Sequence, residues 1–313
     1  MTPQFITAED LRTSLDYRSL VDALDAAFRA DVTVPSRHHH TISAADGGRD
    51  ATLLLMPAWD DARHIGIKMV TVMPDNARRG IPAVNATYQL LDRATGQLLA
   101  LLDGPELTAR RTAAASALAS RYLSRPDSRR LLMVGTGVLA PHLIRAHASV
   151  RPLDAVTIWG RNLDKAERLA DDLSGEGFAV AAGDDLRAAV EVADIISCAT
   201  LALDPLIDGE WLADGQHLDL VGGFTPQMRE ANDAAIRRAR IFVDTPNALI
   251  EAGDLCSPLA RGIIAETDIQ GDLFRLAQGE VAGRGSDDEI TLFKSAGTAI
   301  EDFAAAVLAF ERV

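Results

Sequence analysis

The feature that most constrains the fold is an apolar segment, LLMV at 131–134, that runs directly into the glycine turn Gly135-x-Gly137-x-x-Ala140. A helical pattern follows the turn, and a second apolar segment arrives about 20 residues later. The first glycine permits a tight turn, the second lets the backbone approach a phosphate, and Ala140 lets the helix pack closely on the strand. The helix N-terminus presents free N–H groups and a positive dipole. The pattern predicts that a dinucleotide pyrophosphate binds at Gly135, Thr136, Gly137, Val138 and Leu139.

The segments after this turn alternate between strand and helix. Apolar runs predict strands over 131–134, 155–160, 178–182, 194–199, 217–221 and 240–244. Helical spacing predicts helices over 138–149, 163–173 and 185–192. This alternation predicts a Rossmann-type α/β domain with a doubly wound parallel sheet.

The segments before the turn have a different pattern. The short apolar runs ATLLLMPAW, IGIKMVTVM, AVNATYQLLD and GQLLALLDG are bounded by Gly, Pro, Asp and Asn, which predicts antiparallel strands. LTARRTAAASALASRYL predicts a long helix. The tail ITLFKSAGTAIEDFAAAVLAFERV predicts one more amphipathic helix, which packs back on the first domain. We therefore expect an α+β domain of residues 1–112 with 295–313, and a dinucleotide-binding domain of residues 113–294.

The net charge of −14 constrains the partners. An acidic chain lacks the cationic surface that nucleic acids and anionic membranes attract, so we expect neither as a partner. No run approaches the roughly 18 apolar residues of a membrane span, and the start has no signal-peptide pattern. Cys198 and Cys256 form no disulfide framework and lack metal-ligand spacing. These patterns predict a reduced, cytoplasmic protein.

Three consecutive histidines, HHH at 38–40, raise the question of a metal site. Adjacent residues of an extended chain point to opposite faces, so the run does not easily supply three ligands to one ion. We interpret these histidines as packing or pocket-lining residues and expect no metal.

The end of the second predicted strand indicates which dinucleotide binds. NAD sites usually carry Asp or Glu there to accept from the ribose 2′-hydroxyl. This chain reads VTIWGRN, with Arg161 and Asn162 in place of a carboxylate. A guanidinium suits a 2′-phosphate, and Asn162 can add a donor. We therefore favour NADP(H), with NAD(H) as the alternative, and a solvated loop charge is the other interpretation of Arg161.

The chain resembles the ornithine cyclodeaminase/mu-crystallin family, which also contains ketimine reductases and an alanine dehydrogenase. The motifs that carry the resemblance extend over nearly the whole chain: VPSRHHH, LLLMPAW, GIKMVTVMPDN, RRGIPAV, LLDRATGQLLALLDG, LTARRTAAASALA, VGTGVLA, GRNLDKAERLA, EAGDL and DDEITLFKSAGTAIED. The resemblance implies a homodimer built through the first domain, with an active site between that domain and the Rossmann domain.

The resemblance also implies that cationic residues grip a substrate carboxylate: Arg37 in VPSRH, Lys68 in GIKMV and Arg111 in TARRT. Lys68 lies in an otherwise apolar strand, where a buried ammonium is costly without an anionic partner. A substrate carboxylate would be that partner, and Arg111 would add a bidentate contact. A structural ion pair with an acid of the chain is the alternative for Lys68. We expect Lys68 and Arg111 to be catalytic, with Met56 and Phe224 as further substrate contacts.

For the cofactor, similarity to the family adds Thr112, Thr200 in IISCAT, Val221, Gly222 and Gly223 in the VGGF turn, and Lys294 in LFKSAG. Thr200 and the two glycines lie at the carboxyl ends of predicted strands, where open α/β sheets bind ligands. Ordinary strand-end turns are the alternative interpretation.

One departure from the family pattern bears on the reaction. Cyclodeaminases carry an Asp after the glycines of the VGGF turn, where it serves as general acid/base, but this chain has Phe224 there. Phenylalanine cannot transfer protons. Asp219, five residues earlier, would substitute only if its side chain pointed into the cleft.

Reduction of a cyclic ketimine asks less of the protein, because the imine is readily protonated and the cofactor supplies the hydride. We therefore expect an NADPH-dependent ketimine reductase that acts on a small imino acid, such as Δ1-pyrroline-2-carboxylate, which it reduces to proline. Three alternatives stay open. They are an ornithine cyclodeaminase with a relocated base, an alanine-dehydrogenase-like or opine-type oxidoreductase, and a mu-crystallin-like binding protein with little catalysis.

Overall fold

The computed structural model describes residues 2–44 and 48–313. Its strands are β1 (Gln4–Ile6), β2 (Val32–Thr33), β3 (His38–Ile42), β4 (Ala51–Asp60), β5 (His64–Val72), β6 (Val84–Asp92), β7 (Leu98–Asp103), β8 (Arg130–Val134), β9 (Ala155–Trp159), β10 (Ala179–Gly183), β11 (Ile195–Cys198), β12 (His217–Leu220), β13 (Arg240–Val243), β14 (Ile269–Asp272) and β15 (Thr291–Lys294). Its α-helices are α1 (Ala8–Ser14), α2 (Tyr17–Arg29), α3 (Gly104–Leu123), α4 (Leu139–Val150), α5 (Leu163–Asp172), α6 (Leu186–Val192), α7 (Asp233–Arg238), α8 (Ala248–Glu251), α9 (Gly253–Ala260), α10 (Leu273–Ala277) and α11 (Ala299–Arg312).

The chain forms two compact units. The first consists of Met1–Thr112 with Thr298–Val313, and the second is Ala113–Gly297. The first boundary therefore falls inside α3 and the second follows β15. The substrate-binding and dimerisation roles that the sequence assigns to the first unit remain predictions.

The first unit is built on a sheet with the order β1-β7-β6-β5-β4-β2, and β3 also pairs with β4. β4 to β7 are antiparallel, as predicted from the alternating apolar runs. α11 packs against β4, β5 and β6, and it also contacts α1 and α2. Since facing residues of paired strands project to the same side, Met56, Lys68 and Tyr88 form one cross-strand row. All three are buried.

The second unit contains a sheet with the order β10-β9-β8-β11-β12-β15-β13-β14, and every pairing within it is parallel. The prediction of a doubly wound parallel sheet is confirmed. The chain order reverses between β8 and β11, the topological switch point at which open α/β sheets bind ligands outside the carboxyl ends of the strands. The glycine turn follows β8 at that edge.

The tail departs from the prediction of one continuous helix. Thr291–Lys294 is the strand β15, which lies between β12 and β13, and the helix α11 begins only at Ala299. Gly297, with φ 80°, separates the two elements. The prediction was wrong because ITLF reads equally well as a buried strand or as part of a helix, and only the neighbouring parallel strands decide between them.

Candidate active site

The glycine turn has the geometry that pyrophosphate binding needs. Gly135 has φ 125°, and a Cβ there would lie 2.6 Å from the carbonyl oxygen of Ala199, so only glycine fits. Around Gly137 the space is open, because among the described residues no atom beyond its two chain neighbours lies within 4 Å of the position its Cβ would take. Val138 precedes α4 and gives it no side-chain cap, so the first turn presents its N–H groups without a side-chain acceptor at the cap. These donors and the open glycine fit an anionic phosphate.

The end of β9 carries an exposed cation. Arg161 is exposed, and it forms no ion pair with the residues that the structure describes. The side chain of Asn162 accepts a hydrogen bond from Lys165 N at 3.0 Å, and it thereby caps α5. The oxygen of Asn162 is thus engaged by the helix, while its amide nitrogen keeps the donors that the sequence suggested for a phosphate.

Thr200 and Gly222, at the ends of β11 and β12, share one buried carboxylate. Glu230 Oε1 accepts from Thr200 N at 2.7 Å and from Thr200 Oγ1 at 2.8 Å. Glu230 Oε2 accepts from Gly222 N at 2.8 Å. Burial raises the pKa of Glu230 to about 7, although the Lys294 ammonium acts in the opposite direction. We refer to Thr200, Gly222 and Glu230 as the Glu230 bridge.

The bridge rests on a second buried carboxylate. Asp254 Oδ1 accepts from Glu230 N at 2.7 Å, and Asp254 Oδ2 lies 3.5 Å from Lys294 Nζ. Lys294 Nζ also donates to the carbonyl oxygen of Leu220 at 3.0 Å. Lys294 is fully buried, and its predicted contact with a cofactor remains a prediction. In the structure, Lys294 lies between Asp254 and the carbonyl oxygen of Leu220, next to the residues that follow β12.

In the first unit, the two predicted catalytic cations, Lys68 and Arg111, both donate to Asp302. Lys68 Nζ donates to Asp302 Oδ1 at 2.9 Å, and Arg111 Nε donates to the same oxygen at 3.1 Å. Arg111 Nη1 also pairs with Glu301 Oε2. The cations are nearly inaccessible, at 3% for Lys68 and 7% for Arg111. We call these four residues the Lys68–Arg111 cluster, in which two cations face two carboxylates.

The structure thus contains the ion pair that was the alternative interpretation of Lys68. Burial lowers the pKa of Lys68 to about 8, while the attraction of Asp302 raises it and the nearby Arg111 lowers it further. Tyr88, across the strand pair from Lys68, is also fully buried. Burial raises the pKa of its phenol well above 10, so the phenol stays neutral. Met56 faces Lys68 from β4, in the same row as Tyr88, and is also buried. Its contact with a substrate remains a prediction.

The remaining predicted residues differ in exposure. Arg37 is half-buried in the loop before β3, and Thr112 is buried in α3. Phe224 is 53% exposed after the VGG turn. The three histidines at 38–40 lie exposed on β3, so they are not core packing residues of this chain, and their interpretation as pocket-lining residues remains a prediction. Among the described strands β3 pairs with β4 alone, and this edge position explains their exposure.

Asp219, the candidate for a relocated base, is not available for that role. Its side chain is fully buried, where Oδ2 accepts from Ser197 Oγ at 2.6 Å and lies 3.3 Å from His147 Nε2. Although burial alone would raise the pKa of Asp219, its hydrogen bonds to His147 and Ser197 lower it overall. Asp219 is therefore a core carboxylate held between β12, β11 and α4.

Sequence reasoning missed four acids: Glu301, Asp302, Glu230 and Asp254. A signal for the first two was present, because GTAIEDFAAAVLAF places two acids in an otherwise apolar helix, where a buried carboxylate requires a cation. The other two carry no comparable local signal, since their surroundings are formed by strands from elsewhere in the second unit.

The sequence profile of the ornithine cyclodeaminase/mu-crystallin family matches residues 1–313. The chain belongs to this family. The predicted family assignment is therefore confirmed over the full length of the sequence.

Among the relatives, a Δ1-pyrroline-2-carboxylate reductase of Colwellia psychrerythraea is 40% identical over 99% of both chains. The solved structure of Thermococcus litoralis Δ1-pyrroline-2-carboxylate reductase in complex with NADH and L-proline superimposes with a TM-score of 0.90. It is 32% identical over 98% of this chain and 96% of that one. An archaeal alanine dehydrogenase dimer with bound NAD also gives a TM-score of 0.90, at 26% identity over 100% of this chain and 96% of that one.

None of the helices over 2–44 and 48–313 has the length and apolar character needed to cross a membrane. Within the same residues, no group of three or more His, Cys, Asp and Glu side chains is arranged to hold a metal ion.

Proposed function

We propose that this chain is an NAD(P)H-dependent reductase of a small cyclic imino acid, of the Δ1-pyrroline-2-carboxylate type. The observation that carries the proposal is full-length similarity, at 40% identity, to a reductase of that name. The glycine turn and the open first turn of α4 suit a dinucleotide, and the Lys68–Arg111 cluster supplies cations for a small carboxylate. Phe224, in place of an acid, agrees with a reaction that needs no dedicated base at that position.

The residues divide the work as follows. A bound nicotinamide would supply the hydride. Lys68 donates one of its three N–H groups to Asp302, and the other two can hold a substrate carboxylate. Asp302 and Glu301 fix the positions of the two cationic groups and offset the cost of burying them. The protein thus contributes position and electrostatics, which are the main requirements for hydride transfer to an imine that is readily protonated.

For the cofactor, we propose a preference for NADPH. Arg161 supports it, because this exposed cation lies directly after Gly160 at the end of β9 and has no ion-pair partner among the described residues. A guanidinium without such a partner can pair with a 2′-phosphate, whereas no carboxylate stands at 160–162 to accept from a 2′-hydroxyl. The similar structures hold NADH or NAD, so the preference rests on this residue alone.

The decisive experiment follows oxidation of NADPH and NADH with the five-membered and the six-membered cyclic imino acid. We expect turnover with at least one imino acid, with NADPH the better cofactor. Lys68→Met should abolish turnover with little loss of folded protein, while Lys165→Met, at an exposed lysine, serves as the matched control. Absence of turnover with both imino acids would contradict the proposal, and ammonia release from ornithine with NAD, or reduction of pyruvate with ammonia, would then identify an alternative.

We further propose that the protein is a homodimer. The sheet face of the first unit that is opposite the Lys68 row carries apolar side chains such as Leu55, Ile67 and Met69, which are half-buried or exposed. An apolar sheet face of this kind is suited to burial against a second copy of the chain. The similar alanine dehydrogenase is a dimer. Met69→Glu should yield monomers in sedimentation, whereas Val192→Glu, at an exposed valine of α6, should not; a monomeric parent protein would contradict the proposal.

A further inference from the structure

The Glu230 bridge joins two strand ends that are far apart in sequence. Thr200 follows β11 and Gly222 follows β12, while Glu230 lies eight residues beyond Gly222 and is fully buried. Three donors converge on its two oxygens at 2.7 to 2.8 Å. Charge-assisted hydrogen bonds of this length are the stronger class, so one side chain fixes the spacing of both turns.

The two turns also touch directly. A Cβ at Gly222 would lie 2.0 Å from the oxygen of Thr200 and 2.6 Å from Glu230 Oε1. No side chain larger than hydrogen fits between them. The bridge therefore holds the backbone of Thr200 against that of Gly222 at the carboxyl edge of the parallel sheet. Open α/β sheets bind their ligands at this edge, near the topological switch point.

We propose that Glu230 is a positioning residue of the cofactor site, which holds Thr200 and the 221–223 turn in the geometry that receives the nicotinamide half of the dinucleotide. This inference rests on the proposed function. Glu230 does so only as a carboxylate, because a protonated or amidated group offers fewer acceptors to the three donors. The charged or titratable groups that face it are Asp254 of α9, Lys294 of β15 and Cys198 of β11.

Glu230→Gln tests the proposal, since the amide keeps the shape but offers one acceptor oxygen instead of two. We expect the dissociation constants for NADH and NADPH to rise by about tenfold or more, because the change affects a contact region shared by both cofactors. Glu210→Gln, at an exposed glutamate of the same unit, is the matched control and should leave both constants unchanged. Binding is measured well below the melting temperature of each variant, so that loss of stability is recorded separately.

The pH dependence of NADH binding separates positioning from a merely structural role. NADH is chosen because it lacks the 2′-phosphate, which titrates near pH 6. The parent protein should bind NADH more weakly as the pH falls through about 7, where Glu230 gains a proton, whereas Glu230→Gln should give a flat profile. If Glu230→Gln fails to fold, Thr200→Val removes one of the three donors, and it should weaken NADH binding by about threefold while keeping the pH dependence.

The outcomes are distinct. Failure of the parent protein to bind NADH or NADPH overturns both this inference and the proposed function. Normal binding and turnover by the parent, with a dissociation constant for Glu230→Gln within about twofold of it or with an unchanged pH profile, overturns this inference alone. A folded Thr200→Val variant with unchanged NADH affinity also overturns this inference and leaves the proposed function intact.

Discussion

The charge of Lys68 should control the alkaline side of the reaction. Its ammonium is nearly inaccessible and lies 2.9 Å from Asp302 Oδ1, and its pKa is about 8. A substrate carboxylate binds the charged form, which makes up about nine-tenths of the molecules one pH unit below that pKa and about one-tenth one unit above it. We therefore expect kcat/KM for the cyclic imino acid to fall about tenfold between pH 7 and pH 9.

Asp302→Asn should shift this fall in kcat/KM, the alkaline limb of the pH profile, to lower pH. The Asp302 carboxylate raises the pKa of Lys68, so its removal lowers that pKa below about 8, and each unit of lowering costs about 1.4 kcal/mol in favour of the neutral amine. The alkaline limb of kcat/KM then shifts to lower pH, and KM rises at neutral pH. Because the same substrate is used throughout, its own titration is common to all variants, and the difference between profiles reports Lys68.

The assay is the initial rate of NADPH oxidation at limiting imino acid, from about pH 6 to about pH 10. Lys68→Arg should remove the limb from this range, because a guanidinium remains charged. Asp31→Asn, at an exposed aspartate of the same unit, should reproduce the parent profile. An Asp302→Asn profile that coincides with the parent profile, or a parent rate that stays constant through pH 9, would refute the assignment of Lys68 as a charged substrate ligand.

Three further predictions address separate residues. Arg161→Ser should raise KM for NADPH by about tenfold with little change for NADH, and equal effects on both cofactors would exclude a 2′-phosphate contact. Phe224→Asp should introduce ammonia release from ornithine, measured with NAD; its absence would show that this position alone does not select the reaction. His217 is fully buried with its Nδ1 3.0 Å from Thr291 Oγ1, and burial lowers its pKa from 6.5 to about 3. Since the unfolded chain then binds the proton first, stability present above pH 6.5 should be lost as the pH falls toward 3, by roughly 5 kcal/mol in total. Urea unfolding across this range measures the loss, and an equally steep loss in His217→Asn would contradict the assignment.

The sequence by itself determined the features that depend on near neighbours. The glycine turn is local, because the positive φ of Gly135, the strand before it and the helix after it all lie within residues 130–150. The parallel sheet followed from alternating apolar segments, and the antiparallel strands β4 to β7 followed from runs bounded by turn residues. The absence of a carboxylate at 160–162 and the presence of Phe224 are likewise visible without a structure.

Tertiary structure decided which groups face one another. Lys68 and Asp302 are 234 positions apart, so no periodicity could pair them, and sequence alone favoured a substrate carboxylate as the partner of the lysine, with an internal acid as the alternative. Lys294 was assigned to a helix until parallel neighbours made its segment the strand β15, which buries the ammonium beside Asp254. A charge removed from water requires a partner, but the chemistry of the lysine does not specify which one. Packing makes that choice, because it brings distant segments of the chain within hydrogen-bonding distance.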